Sequence, residues 1–188
     1  MILQCIFYNV RSILSHERRC RLANFVCITK PNVFCLTETW LTPSVLDNEL
    51  FLNGYCVYRA ERPDTSSHGG VFIAVASTLA SFLVDLGLSS PRVNLDHVAC
   101  CCTSGNTKIL FVCIYNSPAR SEYRLTSSEL SDLMSAVAIE AENYNELVIC
   151  GDFNMPDVNW SAYSSDVNYS STFLSDVDNI NVEQQIDF

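Results

Sequence analysis

Glu146 to Trp160 reads ELVICGDFNMPDVNW, and its first half decides the fold. Leu147 to Cys150 is a short apolar run with polar neighbours, the pattern of a core strand, and it breaks at Gly151 before presenting Asp152 and Asn154. On an extended chain alternate side chains face the same way, so Asp152 and Asn154 are expected to share a face. A carboxylate beside a carboxamide can hold a water, a metal or a phosphate, because one accepts hydrogen bonds and the other both donates and accepts. The competing reading is a strand-to-loop turn in which Asp152 caps a backbone amide and Gly151 supplies a permissive dihedral. Four residues leave both readings open.

The rest of the chain repeats the pattern. Ile2 to Tyr8 is nearly continuous apolar sequence, read as a central strand buried on both faces, and it stops at Asn9-Val10-Arg11-Ser12. Val33 to Leu36 is a second strand, ending in Thr37-Glu38-Thr39-Trp40. Asp96 to Thr103 and Lys108 to Tyr115 flank Ser104-Gly105-Asn106 as a hairpin whose second arm delivers Tyr115 and Asn116. Tyr55 to Arg59 and Val71 to Ala76 are further strands, separated by the Pro-, Ser- and Gly-containing loop Glu61 to Gly70; Leu79 to Leu83 is left unassigned.

Helices fall between them. His16 to Thr29 carries an apolar stripe and closes before Pro31. Thr126 and Glu129 have capping-box spacing, followed by Leu130, Leu133, Met134, Val137 and Ala141 at helical period. Leu46 to Leu52 fits a helical turn, and Phe173, Leu174, Val177 and Ile180 fit a short helix. The order predicts an α/β fold: two mixed sheets packed face to face with helices outside.

With 188 residues and 48% hydrophobic content the chain suits one domain, residues 1–188, with a substantial core. No run approaches the roughly 18 to 20 apolar residues of a bilayer span, and MILQCIFYNV lacks the basic start of a secretory signal, so no membrane role is expected. Cys5, Cys35, Cys100, Cys101, Cys102, Cys113 and Cys150 lie inside apolar strand-like runs, which favours buried reduced thiols over disulfides. No CxxC pair occurs and the three histidines are scattered, which disfavours structural zinc. A formal charge of −10 argues against broad non-specific attraction to nucleic acid, leaving room for a local basic rim.

Three apolar strands thus end in Asn9, Glu38 and the Asp152/Asn154 pair, and a hairpin arm ends in Tyr115. Hard oxygen ligands of this kind suit magnesium, which commonly takes one or two carboxylates and keeps waters for substrate phosphate. Phosphodiester hydrolysis is the chemistry such a site could run. Each residue has a plainer alternative: Asn9 closing a turn, Glu38 capping a loop, Tyr115 a core aromatic with its hydroxyl reaching solvent.

In order along the chain, FYNVRS (Phe7–Ser12), LTETWL (Leu36–Leu41), GGVFIAV (Gly69–Val75), IYNSP (Ile114–Pro118) and CGDFN (Cys150–Asn154) resemble the endonuclease/exonuclease/phosphatase family. Within it they are similar to the apurinic-endonuclease-like domains of non-LTR retrotransposons. The resemblance implies a DNase-like, four-layer fold, a two-sheet sandwich flanked by helices. It also implies a magnesium-dependent nuclease, with manganese as an alternative ion, that nicks DNA in the nucleus so that a reverse transcriptase can prime from the cut. By the family pattern Glu38 would bind the metal with Asn9 beside it, and Asp152 would orient or deprotonate the attacking water. Asn154 and Tyr115 would hold and polarise the phosphate, and Asn116 and Arg59 would contact substrate. His68 and His97 fall in no matching role and are left as structural.

The sequence also departs from that pattern. His68-Gly69-Gly70 stands where the family has three glycines, and Asn116-Ser117-Pro118 where the retrotransposon branch has arginine and prolines. The family's further strands beyond the position of Gln185, with their aspartate and Ser-Asp-His, have no counterpart, so the expectation is a C-terminally incomplete domain, possible inactivity included. Two alternatives remain: a cellular phosphodiesterase or phosphatase of the same fold, and a degenerate domain that binds nucleic acid or protein without cutting.

Overall fold

The computed structural model describes residues 2–62, 68–90, 93, 96–183 and 185. The middle of the loop read at Glu61 to Gly70 (residues 63–67) and the end of the chain (186–188) lie outside these. Eight strands follow in order: β1 (Cys5–Asn9), β2 (Val33–Thr37), β3 (Tyr55–Ala60), β4 (Val71–Ala76), β5 (Ala80–Val84), β6 (His97–Ser104), β7 (Thr107–Tyr115) and β8 (Glu146–Asp152). They are joined by α1 (His16–Thr29), α2 (Ser127–Ala141), α3 (Asn168–Ile180) and a 3-10 turn at Asp47–Leu50. No helix among the described residues is long and apolar enough to cross a membrane.

The strands form two four-stranded sheets, ordered β1-β2-β4-β3 and β5-β6-β7-β8. Each is mixed: β1 and β2 run parallel, as do β7 and β8, and the remaining pairs are antiparallel. Period-two alternation divides the side chains into layers. Cys35, Val71, Ile73 and Val75 of the first sheet meet Cys100, Cys102, Phe111 and Cys113 of the second in the seam between sheets. The opposite faces are covered separately. Phe34, Leu36, Phe72 and Ala74 pack with Ile13, Val26 and Leu50 on the α1 side. Cys101, Leu110, Val112 and Ile114 pack against Leu130, Leu133, Val137 and Phe173 of α2 and α3. The result is the expected four-layer sandwich.

Local chemistry explains the helix starts. The Ser15 hydroxyl accepts from the Arg18 amide at 3.3 Å, and Lys30 ends α1 in the left-handed region before Pro31. Thr126 and Glu129 form a reciprocal capping box at α2, Thr126 N donating to the Glu129 carboxylate at 2.8 Å. The unassigned segment at Leu79 to Leu83 is largely strand β5, paired with β6.

One expectation about burial fails. Ile2 to Tyr8 was to be a central strand covered on both faces, yet β1 is an edge strand: Tyr8 is 64% exposed and Cys5 is exposed, so Cys5 departs from the buried thiols. β8, the other strand read as core, also lies at an edge of its sheet among the described residues, with a cleft of about 560 Å³ beside it lined by both apolar and polar residues, among them Ile149, Phe153, Glu146 and Asn181. Apolar runs report an environment averaged over both faces, and they cannot report whether a neighbouring strand is present on each side. Cys35, Cys100, Cys101, Cys102 and Cys113 are buried, and all ten cysteines are free.

Two contacts hold the sheet ends in place. A Cβ on Gly151 would lie 1.9 Å from the Ile114 carbonyl oxygen, so β7 and β8 approach as closely as they do only because residue 151 is glycine. Arg62 donates to Asp96 at 2.6 Å and to the Ser117 hydroxyl at 3.0 Å, with both members of the ion pair buried. Gly151→Ala is expected to cost about 2–3 kcal/mol through overpacking, read as a lower urea midpoint. Asp96→Ala, which leaves a buried guanidinium without its carboxylate, is expected to cost about 3–5 kcal/mol in the same assay.

Candidate active site

Because both parallel pairs point the same way, the C-terminal ends of β1, β2, β7 and β8 gather at one end of the seam. Alternation then decides which side chains meet there. Asn9 shares the face of Phe7, Tyr115 that of Cys113 and Asp152 that of Cys150, and Phe7, Tyr115 and Cys150 line the seam. Glu38 follows the last residue of β2 and turns into the same space with φ +54°.

Asn9 joins the two sheets. Its Nδ2 donates to Glu38 Oε1 at 2.9 Å and to Asp152 Oδ2 at 2.7 Å, and its Oδ1 accepts from the Arg11 amide at 3.2 Å. Two acceptors on one side and a donor on the other orient the carboxamide without ambiguity. Tyr115 is buried beside them: burial first, then the neighbouring Glu38 carboxylate, push its phenol up to about 12, while Ser117 and Arg62 pull the other way. It therefore stays a proton-bearing donor through the neutral range. The Arg62 guanidinium lies 5.8 Å from its ring centroid, so the Arg62–Asp96 pair backs the tyrosine.

Asn154 reaches the site by a different route from the one expected. β8 ends at Asp152, the chain turns, and Asn154 adopts φ +50° with its amide donating to Asp152 Oδ1 at 3.1 Å. An Asx-type turn, not strand alternation, fixes the Asn154 backbone against the Asp152 carboxylate. Asn154 Nδ2 also donates to the Asn116 carbonyl at 2.7 Å.

The two residues expected to contact substrate do not face the site. Asn116 is fully buried: its Nδ2 donates to the Phe153 carbonyl at 2.9 Å and the Tyr169 hydroxyl at 3.0 Å, and its Oδ1 accepts from the Leu125 amide at 3.3 Å. It is a brace for the turn that carries Asn154. Arg59 pairs in register with Phe72 and so points to the α1 face, where it meets Asp47 and Glu61 at 3.2 Å and the Val45 carbonyl. One step along β3 would have aimed it into the seam; its parity aims it away.

One residue near the site went unread in the sequence. Arg124 donates to the Asn154 carbonyl at 3.4 Å and lies 4.1 Å from the Tyr169 ring centroid. Tyr169 comes from α3, so no local pattern signals the contact.

The donor set fits a hard divalent cation. Glu38 and Asp152 are carboxylates held beside one carboxamide, and the Thr37 hydroxyl on the same face is buried with no partner among the described residues. No group of three His, Cys, Asp or Glu side chains among the described residues could hold an ion by itself, so a cation here would keep water or substrate oxygens in its shell.

Solved structures share this fold. The endonuclease domain of TRAS1, a telomere-specific non-LTR retrotransposon, superposes with a TM-score of 0.63 at 16% identity over 95% of this chain and 71% of its own. The AP endonuclease LMAP from Leishmania major gives 0.67 at 15% identity, over 95% and 67%. The 3′ phosphatase NExo from Neisseria, bound to a product DNA hairpin, gives 0.66 at 16% identity, over 95% and 71%. At these identities the likeness is one of fold. No match is found among curated protein sequences. Residues 6–180, which hold Asn9, Glu38, Tyr115, Asp152 and Asn154, match the family model of the Endonuclease/Exonuclease/phosphatase family, and the chain belongs to that family.

Proposed function

We propose that this site hydrolyses phosphodiester bonds in DNA with a bound magnesium ion, manganese substituting, and that the chain is the strand-nicking domain of a non-LTR-type retrotransposon. The observation that carries the proposal is the Asn9 amide bridging Glu38 and Asp152, two carboxylates delivered by different sheets to one point. Asn9 leaves carboxylate oxygens of both residues free of its bridge, and hard oxygen donors gathered at one point suit a divalent cation.

In this reading Glu38 would hold the ion, with Asn9 beside it fixing its carboxylate through the amide N–H, and Asp152 orients the attacking water and accepts its proton. The ion would supply charge stabilisation at the phosphate oxygens and lower the pKa of a bound water. Tyr115 donates a hydrogen bond to the scissile phosphate, and Asn154, positioned by Asn116, faces it from the β8 turn. The TRAS1 likeness supports the retrotransposon reading; a reverse transcriptase as the downstream partner and the nucleus as the place of action are part of the proposal itself. The NExo likeness supports a second reading, release of a terminal phosphate from DNA by the same residues.

Supercoiled plasmid and a 3′-phosphorylated oligonucleotide, each incubated with the chain and magnesium, separate these. Nicking of the plasmid is expected, abolished by EDTA and reduced at least about 10³-fold in Glu38→Ala and Asp152→Ala. Phosphate release without nicking would favour the phosphatase reading, and a folded parent inert on both substrates would leave a binding domain. Tyr115→Phe should lower the rate about 10²-fold, the effect of removing one fixed donor. Since the Tyr115 phenol ionises only near 12, the parent rate should show no loss from that group as pH passes 10.

A further inference from the structure

We propose that Trp40 and His68 form a stacking site for an unpaired nucleobase beside the carboxylates; the proposal rests on the nucleic-acid reading above. The two rings lie 4.1 Å apart, centroid to centroid, with their planes 22° from parallel. Trp40 stands two residues after Glu38, and His68 comes from the segment paired with it: Trp40 N donates to the Gly69 carbonyl at 2.8 Å and Thr39 N to the Gly70 carbonyl at 3.3 Å. The stack is therefore fixed relative to the site by backbone hydrogen bonds.

Backbone geometry there is costly. Glu38, Trp40 and His68 adopt φ of +54°, +54° and +46°, and Gly69 and Gly70 +100° and +83°. Left-handed conformations in residues other than glycine are costly and persist where surrounding structure enforces them, often at ligand sites. The packing is as close: a Cβ on Gly70 would lie 2.7 Å from Thr39 Oγ1, and one on Gly69 2.8 Å from Arg62 Cζ.

The plainer account makes Trp40 a packing residue with His68 as its cover. Two observations weigh against it. The Trp40 indole N–H is buried with no acceptor among the described residues, whereas an indole placed for packing normally directs its N–H to a partner. His68 is exposed, so the outermost ring of the stack faces solvent. What the arrangement presents is a flat aromatic surface next to a site that suits phosphate chemistry.

A nucleobase fits that surface. Within a duplex both faces of a base are occupied by its neighbours, so the occupant is a base that has left the stack, from a single strand, a mismatch or a frayed end. No base-specific hydrogen bond is called for, and the site should take any base.

The test compares a fluorescein-labelled thymidylate pentamer with a labelled pentamer of the same sugar-phosphate backbone lacking every base, by anisotropy in EDTA so that neither is cut. One stacked base corresponds to about 5- to 150-fold in affinity. The parent is expected to prefer the base-bearing strand at least about fivefold, His68→Ala to lose that preference, and His68→Phe to retain it. Equal binding of both strands by the parent, no binding of either, or a preference that survives in His68→Ala overturns the stacking site. A parent that nicks plasmid without base preference overturns stacking alone. A parent that prefers the base-bearing strand and never cuts overturns the nuclease reading alone.

Discussion

One carboxamide sits at the junction of the two sheets. Asn9 Nδ2 donates to Glu38, which follows its own sheet partner β2, and to Asp152, which lies 143 positions away on the opposing sheet. Two carboxylates facing one seam repel each other, and their repulsion strengthens as water is excluded. The amide between them lowers that cost and sets the spacing of the sheets at this end. Tyr115 closes the same space, protonated because burial and the adjacent carboxylates disfavour its anion.

Around this centre lies a layer of buried polar groups. Asn116 ties the end of β7 to the Asn154 turn, to the Leu125 amide and to Tyr169 on α3. Arg62 and Asp96 form a buried pair behind the Tyr115 ring. Groups of this kind rigidify a site when every member is satisfied, and they are costly when one is removed. The loops at the strand ends add buried apolar anchors, among them Ile13, Leu41, Leu125 and Met155, to these hydrogen bonds.

Six of the ten non-glycine residues with positive φ among the described residues lie in the same region. Arg11, Ser12, Glu38, Trp40, His68 and Asn154 all have positive φ and all follow a strand end or precede β4. A strand that stops in the core must turn within a residue or two to keep its next side chain at the seam, and turns that abrupt use dihedrals that other contacts then hold in place.

Much of the fold was legible in the chain. An apolar stripe closed by Pro31 marked α1, a capping box marked α2, a Gly-containing turn marked the β6–β7 hairpin, and polar residues at the ends of apolar runs marked Asn9, Glu38, Tyr115 and Asp152, because each of these signals is local. Asn116 and Arg59 read as substrate residues through the family resemblance alone. Their fates depended on strand parity against a partner and on Tyr169, which only the folded chain brings near. The edge positions of β1 and β8 were hidden for a related reason, since an apolar run carries no record of how many strands flank it. Sequence determined which residues could do chemistry, through spacing along the chain; tertiary structure alone decided which of them face the seam, because that depends on register between segments far apart in the chain.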